Sequence, residues 1–105
     1  MNPETERIVC VGDSHTVTAL RIAGIEGIVA TPDTVLQILE QLREDKNCAI
    51  ILVTRELTAI HVNLIRDMNR ESTGPALLEI PGIHTKGGSI TSVMTYINQA
   101  LGIAL

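Results

Sequence analysis

The sequence has almost no aromatic residues: among its 105 residues Tyr96 is the only aromatic one, and Phe and Trp are absent. Proteins that bind single-stranded nucleic acid stack the bases on aromatic rings, and nucleic-acid binding in general requires a basic surface that neutralises phosphates. The chain instead carries 8 Lys and Arg against 12 Asp and Glu, which gives a formal net charge of −4. We therefore expect no nucleic-acid partner.

Long hydrophobic runs are missing as well. The longest, residues 49–53, is far shorter than the roughly 20 apolar residues that cross a bilayer. The first residues are polar and lack the apolar stretch of a signal peptide. Cys10 and Cys48 are the two cysteines, and both lie within or beside apolar runs, which is typical of buried, reduced thiols. These features predict a cytoplasmic protein without direct membrane insertion.

Apolar residues make up 45% of the chain, and their spacing alternates between two periods. Short β-branched runs predict strands, and longer runs with apolar residues at i, i+3, i+4 and i+7 predict helices. The predicted strands span residues 7–11, 25–30, 49–53 and 76–80, and the predicted helices span about 14–23, 31–45, 55–68 and 89–102. The order β-α-β-α-β-α-β-loop-α implies an α/β fold with helices on both faces of a four-stranded parallel sheet. Such a sheet is Rossmann-like or receiver-like (flavodoxin-like).

Local signals mark the ends of the predicted helices. Asp13 or Ser14 can cap the first helix, and Gly24 can end it because glycine tolerates positive φ. The second helix is predicted to open at Thr31 and Pro32. The third is predicted to be continuous, with one apolar face that is formed by Leu57, Ile60, His61, Leu64, Ile65 and Met68.

The C-terminal part of the chain differs from the rest. Residues 82–88 form a polar, Gly-containing loop, which predicts a flexible linker between a domain of residues 1–81 and a last helix within 89–105. The predicted hinge residues are Pro81, Gly82, Gly87 and Gly88. The last segment has no Asp, Glu, Lys or Arg, and an uncharged amphipathic helix is poorly suited to free solvent. We expect this helix to dock either on its own domain or on a partner.

The carboxyl ends of the strands, where α/β sheets bind ligands, carry no complete catalytic pattern. A receiver needs clustered carboxylates after the first strand and an Asp after the third, whereas this chain has Asp13 alone and Thr54. A P-loop needs a Lys where Gly88 stands, and a dinucleotide fingerprint needs more glycines than Gly12. Cys10 leaves a small Cys-phosphorylated carrier domain as an enzyme-like alternative. We predict no catalytic, cofactor-binding or metal-binding residues.

Three stretches of the sequence resemble the F subunit of V-type and A-type rotary ATPases (ATP synthases). They are IVCVGDSHTVTALRIAGIEGIV (residues 8–29), AIILVTRELTAI (49–60) and PALLEIPG (75–82). Chain length, element order and the late C-terminal helix agree with that family as well. The chain departs from it at Ala19 and Leu20, where members usually have Gly-Phe.

The resemblance implies a non-catalytic subunit of the central rotor stalk. Members of that family bind the coiled coil of the D subunit, and the pair couples ATP turnover in the A/B head to ion translocation. Their fold is Rossmann-like or receiver-like, and their C-terminal helix is a mobile element that can reach the A/B head. The implied location is cytoplasmic, peripheral to the membrane within the complex. A stand-alone receiver-like protein-binding module is the other alternative.

Two regions form the predicted subunit interface. The end of the first helix and the start of the second strand contribute Arg21, Ile22 and Ile25. The apolar stripe of the last helix contributes Ile90, Val93, Met94, Ile97 and Leu101. The apolar residues of both regions would also suit the core of the domain, so the sequence leaves both roles open for them.

Overall fold

Four short strands form one parallel sheet at the centre of the protein. The computed structural model describes residues 7–70, 74–83 and 89–101. The strands are β1 (Arg7–Gly12), β2 (Glu26–Val29), β3 (Cys48–Thr54) and β4 (Ala76–Ile80), and their order across the sheet is β2-β1-β3-β4. All three neighbouring pairs are parallel. The predicted α/β flavodoxin-like fold is therefore confirmed.

Helices cover both faces of this sheet. They are α1 (Ser14–Ile22), α2 (Val35–Glu44), α3 (Arg55–Thr58), α4 (Val62–Arg70) and α5 (Ile90–Leu101). Residues of α1 and α5 pack on one face of the sheet, and residues of α2, α3 and α4 pack on the other. Within the described residues, no helix has the length and apolar character that crossing a bilayer requires.

The central strand β3 is buried on both of its faces. Successive side chains of a strand point to opposite faces, so Ile51 and Val53 face α2, α3 and α4, whereas Leu52 faces α1 and α5. All three are fully inaccessible to solvent. Leu52 belongs to a cluster with Cys10, Val17, Leu20, Ile80, Val93 and Ile97. The last helix is thus part of the core of the domain in this conformation.

The predicted ends of α1 are confirmed. Asp13 is the N-cap, because its carboxylate accepts hydrogen bonds from the backbone N–H of Thr16 at 3.0 Å and from the Thr16 hydroxyl at 2.7 Å. Gly24 follows the helix with a φ of 95°, a left-handed conformation that glycine adopts without steric cost. The helix therefore ends where the chain must turn back into β2.

The third helix is not continuous, and this prediction is wrong. α3 ends at Thr58, and α4 begins only at Val62. Hydrogen bonds from Ile60 N to Leu57 O (3.4 Å) and from His61 N to Thr58 O (3.2 Å) tighten the chain into i→i+3 turns at this point. The break turns Ile60 away from the predicted apolar face and leaves it 52% exposed.

A contact with β4 accompanies this break. The Thr58 hydroxyl donates to Glu79 Oε2 at 2.7 Å, and Arg55 Nε donates to Glu79 Oε1 at 2.9 Å. Both partners of Glu79 belong to α3, so the carboxylate ties this short helix to the edge strand.

The start of α2 also differs from its prediction. The helix begins at Val35, because Thr31 starts a turn in which its C=O accepts a hydrogen bond from Thr34 N at 3.1 Å.

We expect Gly12→Ala to destabilise the fold by about 1–3 kcal/mol, because overpacking a tight core forces shifts of this size. A Cβ atom at Gly12 would lie 2.5 Å from Thr54 Cγ2, and Thr54 is itself buried. Gly74→Ala is the matched control, since the nearest atom to its Cβ would be Arg43 Cγ at 3.7 Å. Denaturant unfolding measures the free energy of unfolding of both variants. Equal unfolding midpoints would contradict the packing argument.

The Glu79 contacts predict a dependence of stability on pH. The Thr58 hydroxyl is the main cause that lowers the pKa of Glu79, Arg55 adds to it, and partial burial opposes both. A carboxyl whose folded-state pKa is depressed stabilises the fold above its unfolded pKa, and this contribution disappears as pH falls through the folded-state pKa. We expect Thr58→Val to raise the pKa of Glu79 toward its ordinary value, as followed by ¹³C NMR titration of the carboxyl carbon.

The exposed Thr18 offers a matched control for this experiment. Thr18→Val makes the same chemical change on α1, away from Glu79, and should leave the titration of Glu79 unchanged. An unchanged Glu79 pKa in Thr58→Val would show that the hydroxyl does not hold the carboxylate in its charged form.

Candidate functional site

The loops after β1 and β3 meet at the carboxyl edge of the sheet, where α/β proteins usually place a ligand site. Asp13 follows β1, but its carboxylate caps α1. Thr54 ends β3 and is only 1% exposed, so a buried hydroxyl stands where a receiver has its acceptor carboxylate. Among the described residues, no group of three or more His, Cys, Asp or Glu side chains could hold a metal ion. This edge does not assemble receiver chemistry.

The start of the predicted linker is held against the domain. The backbone N–H of Ile83 donates to the Thr16 hydroxyl at 3.0 Å. Gly82 is buried, and a Cβ atom there would lie 3.1 Å from Glu56 Oε2. Of the predicted hinge residues, Pro81 is half-buried, whereas Gly87 and Gly88 lie outside the described residues. The division into domain, linker and helix stays a prediction.

The first predicted interface region lies at the end of α1 and is largely open to solvent. Arg21 is exposed, and Ile22 is exposed to 84%, the highest value among the large apolar side chains that the structure shows as exposed. Ile25 is half-buried and packs against the cluster shared by α1 and α5. The structure therefore brings Arg21 and Ile22 together on one surface and gives Ile25 a partial role in the core. Their role in binding stays a prediction.

Three residues of the second predicted region, the apolar stripe of α5, pack on their own domain. Val93 and Ile97 are 1% and 0% exposed, and Met94 is half-buried against the same cluster. Ile90 and Leu101 are the first and last residues of the helix. The α5 residues that the structure describes as exposed are uncharged: Thr91, Ser92, Thr95, Tyr96 and Gln99. In this conformation Val93, Met94 and Ile97 serve the core, and a role of the stripe in binding a partner stays a prediction.

One polar group weakens the packing of α5. Asn98 is half-buried, and its Oδ1 atom is buried without a hydrogen-bond partner among the described residues. A buried polar atom that has lost water and gained no partner costs about 1–3 kcal/mol. The docked position of α5 is thus less favourable than its apolar stripe alone would make it.

The sequence prediction missed a set of exposed apolar side chains. Val29, Ile60 and Val62 are exposed to 53%, 52% and 56%. Ile60 lies within the break between α3 and α4, and Val62 is the first residue of α4. Ile60 also lines an open pocket of about 320 Å³ at the carboxyl edge. No signal in the sequence predicted this, because the helical spacing of residues 57–68 places Ile60 on the buried face of an unbroken helix.

Both cysteines are buried free thiols, as predicted. Cys10 is fully inaccessible, and burial, with a smaller effect of the Asp13 charge, raises its pKa to about 12. Burial also raises the pKa of Cys48, which is 5% exposed. A nucleophilic cysteine needs an accessible thiolate. The environment of Cys10 therefore disfavours the alternative of a Cys-phosphorylated carrier domain.

Comparison with known proteins gives consistent matches along most of the chain. The family model described as ATP synthase (F/14-kDa) subunit matches residues 8–97, from β1 into α5. The chain is 28% identical over 100 residues to the A-type ATP synthase F subunit of Methanosarcina mazei, covering 93% of this chain and 96% of that protein. It is 34% identical over 79 residues to the protein of the same name from Methanothermobacter thermautotrophicus, covering 73% of this chain and 74% of the relative.

The matched region contains β1 from Ile8 onward, the other three strands, the cap residue Asp13 and the exposed end of α1. It also reaches Val93 and Ile97, through which α5 packs on the sheet. The match thus covers the fold from Ile8 to Ile97 and every predicted interface residue except Leu101. The chain belongs to the ATP synthase (F/14-kDa) subunit family.

Proposed function

We propose that this protein is the F subunit of an A-type or V-type rotary ATPase and acts as a non-catalytic part of the central stalk. The observation that carries the proposal is the match to the family and to two A-type ATP synthase F subunits along most of the chain. In this role it binds the coiled coil of the D subunit and helps to couple ATP turnover in the A/B head to ion translocation. It works in the cytoplasm, peripheral to the membrane.

The sites that the sequence marked for chemistry support a non-catalytic role. The Asp13 carboxylate accepts two hydrogen bonds from Thr16 as a helix cap. Burial keeps Cys10 in its neutral thiol form. Thr54 is buried at the end of β3 and presents no carboxylate for phosphorylation. Each of these side chains thus has a structural environment that does not suit nucleophilic or phosphoryl-transfer chemistry.

The surface at the end of α1 suits a helical partner. Ile22 is almost fully exposed, and burying such a side chain contributes about 1.5–3 kcal/mol. Arg21 stands next to it and is also exposed, so it can pair with an acidic residue at the rim of an apolar contact. Coiled coils combine apolar positions with flanking charged ones, which matches this pairing. We therefore place the contact with the D subunit here.

The last helix suits a second role. Its exposed described residues carry no charge, and Asn98 Oδ1, which has no hydrogen-bond partner in the described part of the chain, makes its docked position less favourable. If α5 leaves the domain, Asn98 regains hydrogen bonds, and the stripe of Val93, Met94 and Ile97 becomes available. A partner that buries this stripe, such as one of the catalytic head subunits, can then offset the loss of packing.

Binding to the D subunit is tested by co-expression and by affinity measurements on the complex. We expect a 1:1 complex, and we expect Ile22→Asp or Arg21→Glu to weaken it at least tenfold, because they place a charge in the apolar contact or reverse the charge beside it. Ile60→Asp is the matched control, since Ile60 is another exposed isoleucine at the opposite edge of the sheet. Equal affinities for Ile22→Asp and Ile60→Asp would contradict the placement of this interface.

The docking of α5 is tested with Asn98→Leu in the isolated protein. Removing the unsatisfied oxygen should slow hydrogen exchange of the α5 amides about 5- to 150-fold, which corresponds to a gain of about 1–3 kcal/mol. Gln99→Leu is the control, because Gln99 is the adjacent residue and is exposed. Unchanged or faster exchange in Asn98→Leu would show that Asn98 does not weaken the docked state.

A further inference from the structure

The outer side of α4 carries a line of three exposed residues. Val62, Arg66 and Arg70 stand four residues apart, and side chains with this spacing lie one above the other on the surface of a helix. Val62, at the start of the line, is 56% exposed. The inner side of α4 packs on the sheet through the buried Met68, with the half-buried Ile65 beside it. The line therefore points away from the core and toward solvent.

The two arginines of this line have no ion-pair partner in the described part of the chain. Arg7 and Arg55, in contrast, each pair with carboxylates of neighbouring elements. Asp67, the only acidic residue of α4, is exposed on the flank of the line and pairs with neither arginine. Two like charges four residues apart on a helix repel each other and weaken it. A carboxylate from outside the chain would neutralise them and remove this repulsion.

The charge of the line is opposite to that of the chain as a whole, which has a formal net charge of −4. On the same face of the sheet, α2 exposes Glu40 and Glu44. An acidic partner is therefore repelled by much of the surface and attracted at α4, and such a contrast fixes where a partner docks. A second copy of the chain also carries −4, so two copies repel each other overall. A different protein is thus the better occupant.

We propose that the line of Val62, Arg66 and Arg70 docks an acidic amphipathic helix of a partner protein. Residues i and i+4 of a helix are about 6 Å apart along its axis, so Asp or Glu residues with this spacing can face the two arginines one by one. Each guanidinium can bind a carboxylate through two parallel hydrogen bonds. An apolar residue one turn further along the partner helix covers Val62.

This contact is separate from the surface proposed for the D subunit. α4 packs on the face of the sheet that it shares with α2 and α3, whereas α1, which carries Arg21 and Ile22, packs on the opposite face. The α4 contact therefore does not depend on the proposed stalk function.

The proposal is tested on the full chain with an alanine-based helical peptide as probe. The peptide contains one leucine and two glutamates at successive i+4 positions. The matched peptide has glutamine in place of both glutamates, which keeps the shape and removes the charge. Backbone amide NMR titrations follow Val62, Arg66 and Arg70 on α4, with Arg21 and Ile22 as reporters on the opposite face. Sedimentation velocity at the same protein concentration measures self-association.

Two protein variants with matched controls test the two parts of the surface. Arg66→Gln removes one charge of the line, and its control Lys46→Gln removes an exposed charge from the connection between α2 and β3. Val62→Thr replaces an apolar methyl group by a hydroxyl of similar size. Its control is Val29→Thr, because Val29 is another exposed valine, at 53%, on β2.

We expect saturable shifts at the α4 amides with the glutamate peptide. The dissociation constant should rise at least threefold with the glutamine peptide and in Arg66→Gln, and at least twofold in Val62→Thr, while both controls bind as the unchanged protein does. Absent shifts, shifts of equal size at Arg21 and Ile22, equal binding of the two peptides, or equal effects of a variant and its control would overturn the proposal.

Self-association of the chain through the same α4 amides would also overturn it, because a second copy would then be the occupant. The D subunit takes no part in this experiment, so a failure here leaves the proposed stalk function unaffected.

Discussion

The fold depends on burying the central strand β3 on both faces. Ile51 and Val53 on one face and Leu52 on the other are fully inaccessible, so neither face tolerates loss of its helices. α5 contributes Val93 and Ile97 to the cluster around Leu52, and each buried side chain of this kind contributes about 1.5–3 kcal/mol. Movement of α5, which the proposed function includes, therefore requires a second surface that buries its stripe. Asn98 Oδ1 has no hydrogen-bond partner among residues 7–70, 74–83 and 89–101, so it reduces, without removing, the free-energy advantage of the docked position of α5.

The parallel sheet gives the protein two different ends, an amino edge where the strands begin and a carboxyl edge where they finish. All strands begin at one edge and end at the other, so the C-terminal end of α1 lies at the amino edge and the loops after β1 and β3 lie at the carboxyl edge. Ile22 is exposed at the first edge, and the pocket beside Ile60 opens at the second. The exposed side chains of Ile22 and Ile60 therefore lie at opposite ends of the sheet.

Much of this fold could be predicted, because local signals agree with the tertiary structure. β4 spans the predicted residues 76–80, Asp13 caps α1 as expected, and Gly24 adopts the left-handed conformation that ends it. The break after Thr58 could not be predicted, because Glu79, with which its hydroxyl pairs, lies 21 residues away in sequence. The pocket could not be predicted for the same reason, since the exposure of Ile60 results from that break.

The sequence alone determined the order of the elements, the parallel sheet, the absence of a complete catalytic pattern and the family to which the chain belongs. These properties rest on local spacing and on residue types, which the sequence states directly. The tertiary structure decided which apolar residues are core and which are surface: Ile22 is open to solvent, whereas Val93 and Ile97 are buried. Helical spacing cannot separate these roles, because an apolar stripe has the same pattern whether its own sheet or a partner covers it.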